Sequence, residues 1–210
     1  AGTTLAVVNA FDLSGGYHVS GDGSLTVGAG GKIATGDKVL ANLTINGETT
    51  FYDDSTIGTL KVTDGVTAKV ATDKTLTISK SFSGAINAGE GSKTTLRLID
   101  SAQADFKAGD STKMARFVME GADARAAFYG NYSLNEMELK QGTIVLADGA
   151  VLSLSHGILS GGNITGGGTL NLTAQNTEIT KTGNYALSHL TFGNGGTLTL
   201  NGTLTMLNDT

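Results

Sequence analysis

A short apolar beat recurs along the chain: one apolar residue, one polar residue, then a second apolar residue. Leu25-Thr26-Val27 is the first clear copy, followed by Leu43-Thr44-Ile45, Leu60-Lys61-Val62, Leu76-Thr77-Ile78 and Leu96-Arg97-Leu98. Met137-Glu138-Leu139, Ile144-Val145-Leu146, Leu152-Ser153-Leu154, Leu170-Asn171-Leu172, Leu198-Thr199-Leu200 and Leu204-Thr205-Met206 continue it. Alternation sends successive side chains to opposite faces of a strand, so each copy predicts a short strand with one buried face. Leu5-Ala6-Val7-Val8 predicts another near the start.

The spacing of the copies predicts how the strands are arranged. Counted from the first apolar residue of each copy, Leu25 to Leu43 is 18, Leu43 to Leu60 is 17, Leu60 to Leu76 is 16 and Leu76 to Leu96 is 20. The next step, to Met137, is 41, and it divides into 21 and 20 with Phe117-Val118-Met119 as a degraded copy. Shorter steps lie between others: Met137 to Ile144 is 7 and Ile144 to Leu152 is 8. A coil of three short strands explains both lengths: a short step moves to the next face, and a long step returns to the same face one coil on. The prediction is an all-β, right-handed parallel β-helix with roughly 18–20 residues per coil and about eleven coils. The handedness follows from strand twist and the crossover preference. Leu43, Ile45, Leu60, Val62, Leu76, Ile78, Leu170 and Leu172 are expected to point inward and stack in columns. A sandwich or up-and-down barrel spaces its strands by about 8 to 12 residues and does not readily produce the longer interval.

Asp100 to Tyr132 is where the beat weakens. The expectation is a single solenoid over 1–210 with an irregular insertion around 100–132. Asp110-Ser111 has the chemistry to cap a short helix through Arg116, and Gly121 argues against a long one. Arg116, Arg125, Phe128, Tyr129 and Tyr132 are the candidate recognition residues of a protruding loop. The final copy suggests a second surface. Leu204, Met206 and Leu207 are expected to form an uncapped strand edge, which favours end-to-end pairing with another strand.

Composition narrows the function. The chain has 31 glycines and no proline, cysteine or tryptophan. Missing proline suits long ladders, because proline removes a ladder donor; missing cysteine excludes a disulfide framework. Hydrophobic residues make up 39% of the chain, enough for a thin patterned core. The net charge of −5, with no basic stripe, argues against a nucleic-acid partner. No apolar run approaches the ~18 residues of a membrane helix, so the chain is not expected to span a membrane. It opens at Ala1 without methionine, which predicts a processed or excised piece of a longer protein.

No catalytic, cofactor or metal constellation emerges. His18, His156 and His189 have no metal-type neighbours at short spacing. Asp53-Asp54 is an adjacent carboxylate pair, but strand neighbours point apart, so the pair reads as part of a turn. Gly161-Gly162-Asn163-Ile164-Thr165-Gly166-Gly167-Gly168 lacks the Lys-Ser/Thr ending of a phosphate loop.

The units Gly23-Ser24-Leu25-Thr26-Val27-Gly28-Ala29-Gly30-Gly31-Lys32-Ile33, Gly168-Thr169-Leu170-Asn171-Leu172-Thr173 and Gly196-Thr197-Leu198-Thr199-Leu200-Asn201-Gly202 resemble the repeats of autotransporter passenger domains. These are the β-helical adhesins secreted by Gram-negative bacteria. The resemblance covers most of the chain outside Asp100 to Tyr132. It implies a secreted or surface-anchored stalk that acts in adhesion or self-association, with itself and a host or neighbouring cell surface as partners. One alternative is a self-assembling subunit of an extracellular filament or surface layer. The other is a polysaccharide-degrading β-helix enzyme, which sparse aromatics weigh against.

Overall fold

The computed structural model describes residues 3–7, 12–13, 16, 18–107, 113–173, 177–179, 185–192, 198–200 and 204–206. Among them are twenty strands and no helix. Every strand pairing is parallel, and partners lie about one coil apart in sequence. The molecule is a parallel β-solenoid, as the spacing predicts.

One register column shows the winding. It runs Leu5, Leu25, Leu43, Leu60, Phe82, Ala104, Ala126, Ile144, Ile164, Tyr185 and Leu204, each the partner of the next. From Leu25 to Ile164 its side chains are buried. The shortest step is 17, from Leu43 to Leu60, and the longest is 22, as from Leu60 to Phe82. The strands that carry this column form the first face. The second face includes Gly31–Ile33, Thr49–Phe51, Thr67–Val70 and the Tyr132–Leu134 part of Tyr132–Leu139. The third includes Thr95–Leu98 and the Arg116–Met119 part of Lys113–Met119.

Several strands turn a corner without a loop. Thr75–Asn87 contributes to all three faces in turn: Thr75 to Ile78 pair on the third, Ser81 to Gly84 on the first and Ala85 to Asn87 on the second. Gly84 sits at one such bend with φ +135°, and a Cβ there would lie 2.5 Å from the Val62 Cβ. Only glycine tolerates both the dihedral and the approach.

The core is a thin stack of apolar pairs. Leu43, Ile45, Leu60, Val62, Leu76, Ile78, Leu170 and Leu172 are all buried, as expected. The interval from Leu60 to Leu76 is not a coil, however. Leu76 faces Ser55 on the third face, while the partner of Leu60 is Phe82. Leu76 to Leu96, Phe117 and Met137 is a true column, so Phe117-Val118-Met119 is a copy of the beat.

Asp100 to Tyr132 continues the winding wherever it is described. Gln103–Phe106 and Arg125–Phe128 pair in register on the first face, and Lys113–Met119 pairs with Thr95–Leu98 and Tyr132–Leu139. Residues 113–119 are strand, not the end of a capped helix; Asp110 and Ser111 lie outside the described residues. Phe106, Phe117, Phe128 and Tyr132 go into the core, not onto a loop. Phe106 stacks on Phe128 with centroids 4.7 Å apart, and Phe82, Phe117 and Tyr132 pack around them. Large apolar rings gain more from burial than any other side chains, so they go where the core has room. Room comes from their neighbours: Ala104 and Ala126 occupy the adjacent inward positions on the same strands.

Candidate functional site

The residues marked out by sequence as a recognition loop do not converge. Phe128 and Tyr132 are core, and the Tyr132 hydroxyl donates to the Lys107 carbonyl at 2.7 Å. Burial pushes that phenol far above its ordinary pKa. Tyr129 alone of the aromatic three is at the surface, 52% exposed. Arg125 points outward and donates to Asp105 at 3.2 Å. Arg116 also points outward, but belongs to a different face. Of the predicted edge, the strand Leu204–Met206 pairs on one side with the Tyr185–Leu187 part of Tyr185–Phe192; Leu207 lies outside the described residues.

Arg116 is part of an ion-pair chain on the third face. Its Nε donates to Glu136 at 3.0 Å and its Nη2 to Glu138 at 2.7 Å. Lys140 bridges Glu138, at 3.3 Å, and Glu120, at 2.6 Å. Arg97 closes the chain on Glu120, with Nε at 2.9 Å. Hydrogen bonds from Lys140 and then Arg97 hold the Glu120 carboxyl below its ordinary range, and Lys140 is raised by Glu120 and Glu138 in return. Sequence inspection missed this chain, although a signal exists. Arg116–Glu136 and Glu120–Lys140 are each 20 residues apart, and Arg97–Glu120 is 23. Opposite charges one coil apart become rung neighbours.

The second face carries a trough whose floor is the outward column Thr50, Lys69, Asn87. Of that column Lys69 and Asn87, with Glu48, Thr67 and Glu90, line a hollow of about 450 Å³. Lys69 bonds to Glu48, which lowers the carboxylate's pKa and raises that of the ammonium. The trough therefore offers hydroxyl, amide and ion-paired groups, with no aromatic platform among its lining residues.

Other candidates resolve into local structure. The Asp53 carboxylate accepts from Lys74 at 2.7 Å, and that of Asp54 accepts from the Thr75 backbone N–H at 2.8 Å, so both pin turns to the next coil. His156 lies in register with Glu136 and His189 with Thr169, far from His18. No group of three or more His, Cys, Asp or Glu side chains suited to a metal ion occurs among the described residues. No helix among them is long and apolar enough to cross a membrane.

The fold thus defines the class, a parallel β-solenoid with patterned outer faces. No protein-family model, curated protein or solved structure matches the chain.

Proposed function

We propose that this solenoid is a secreted or cell-surface adhesive stalk that works by repeated weak contact, with another copy or with a neighbouring cell. The supporting observation is the alignment of its outward residues. Ser153, Asn171 and Thr191 form one rung-to-rung column, linked by Asn171 to Ser153 at 3.4 Å and Thr191 to Asn171 at 2.8 Å. A contact that one rung makes is offered again by the next, and linked weak contacts multiply in strength. The resemblance to passenger domains of Gram-negative autotransporters supports the same reading and the extracellular address.

End-to-end assembly into a filament is the second reading. Leu5 and Phe192 occupy inward columns, opposite Leu25 and Leu172, yet are 53% and 52% exposed. Exposed apolar side chains on parallel strands favour pairing with a further apolar strand edge.

Binding to bacterial and host cells, together with analytical ultracentrifugation over a concentration series, tests the proposal. Cell retention or concentration-dependent association is the expected result. A protein that stays monomeric and binds no cells overturns it, and turnover of an acidic polysaccharide replaces it with an enzyme.

A further inference from the structure

The three faces differ in what they leave unspent. On the third face the charges neutralise one another, and on the second Ser155 and Thr173 bond to each other at 3.2 Å, while Thr50 stands between Lys32 and Lys69 in a charged column. The first face is different. Ser24, Thr26, Thr44, Thr59, Ser81 and Ser83 lie on four successive rungs in two parallel columns. All six are half-buried, standing shoulder to shoulder as a flat ribbon. None of their hydroxyls makes a hydrogen bond to another described residue, whereas Asn42 between them donates to the Gly23 carbonyl at 3.4 Å. Lys61 is the one charged side chain in these columns across the four rungs.

We infer that this ribbon binds an extended neutral polysaccharide, an inference that rests on the adhesive reading and names its target. Each free hydroxyl is both donor and acceptor, the inventory that sugar hydroxyls require. Parallel rungs repeat every ~4.8 Å, so the columns present one row of hydroxyls for about each ring of an extended β-linked chain. The two columns are only ~7 Å apart along the strand. That width suits a single glycan chain and falls well short of the roughly 800 Å² per partner that a stable protein interface needs. Charge points the same way. A polyanion meets a molecule of net charge −5, and a polycation finds no carboxylate in the two columns. A stiff polymer also has little conformational freedom to lose on a rigid ladder, so weak hydrogen bonds add along its length.

Co-sedimentation of the full chain with microcrystalline cellulose tests this. The wild-type protein should pellet with cellulose and stay in solution without it. The double substitution Thr44→Glu with Ser83→Glu should cut the bound fraction at least tenfold. Thr44→Ala with Ser83→Ala should cut it several-fold without adding charge. Thr77→Glu, beside Arg97 on the third face, should leave it unchanged. Circular dichroism and unfolding midpoints confirm that the variants remain folded. Equal retention of the wild type and the double glutamate variant overturns the inference. So does pelleting without cellulose that the same substitutions abolish, which assigns the ribbon to a second copy. A wild-type protein that binds cells or self-associates but ignores cellulose sinks this inference alone; one that does none of these sinks the adhesive reading as well.

Discussion

A core one apolar pair deep leaves each inward side chain with few neighbours to share a defect. Leu76 is fully buried between Ser55 and Leu96. Leu76→Asp should destabilise the fold by about 4 kcal/mol or more, because the carboxylate has no partner there; an unchanged melting temperature would place Leu76 outside the core. Phe106 touches four rings. Phe106→Ala should cost about 3–5 kcal/mol, read from denaturant midpoints, since its alanine neighbours cannot fill the cavity. Glu120 supplies a pH signature. Its folded pKa is lowered, so its pairing stabilises the fold above the ordinary carboxylate pKa and is lost as pH falls through the folded value. Glu120→Gln should therefore be less stable than wild type at pH 7, by under about 1 kcal/mol for a surface pair. The gap should narrow as pH falls below the ordinary carboxylate range and close below the folded pKa. A gap that does not change with pH would assign the effect to packing.

At the scale of the strand, legibility depended on which apolar residues carried the beat. Where leucine, isoleucine and valine filled both inward positions, the pattern located the strand and its inward face. Ala104-Asp105-Phe106 and Ala126-Ala127-Phe128 are equally good strands. Their pairs are small-plus-large, and alanine carries little strand signal. The rings then stood out as surface candidates when they were filling the space left by alanine. Corner strands blurred the count in another way. A strand such as Ser55–Val62 turns from the third face to the first without a loop, so Leu60 and Leu76 looked one coil apart although they belong to different faces. The outer ion pairs were missed because local motifs were sought, while the partners lie a coil away. The turn at Asp53-Asp54 was legible because its chemistry is local.

For the whole molecule the prediction is a rod. Eleven described rungs on the first face, ten steps of ~4.8 Å, give a length of about 48 Å for the described stack. Small-angle scattering should show an elongated particle with negligible helix by circular dichroism; a compact globule would contradict the stack. The strand Leu204–Met206 bears on assembly. Thr205→Pro removes a backbone donor there and should weaken any end-to-end association while leaving cell binding through the faces intact. Equal loss of both would show that the two activities share one surface.

The ion pairs one coil apart also bear on how the chain reaches this state. Arg116 needs only residues as far as Glu138, and Lys74 reaches back to Asp53. Ladder bonds have the same reach, since their register partners sit about one coil away. Each new coil closes a loop of nearly constant size, and closure entropy rises only slowly with loop length. The two termini never need to meet. A chain emerging gradually through a narrow opening can therefore wind up behind its leading end, with every coil completing its ladder bonds as soon as the next has arrived.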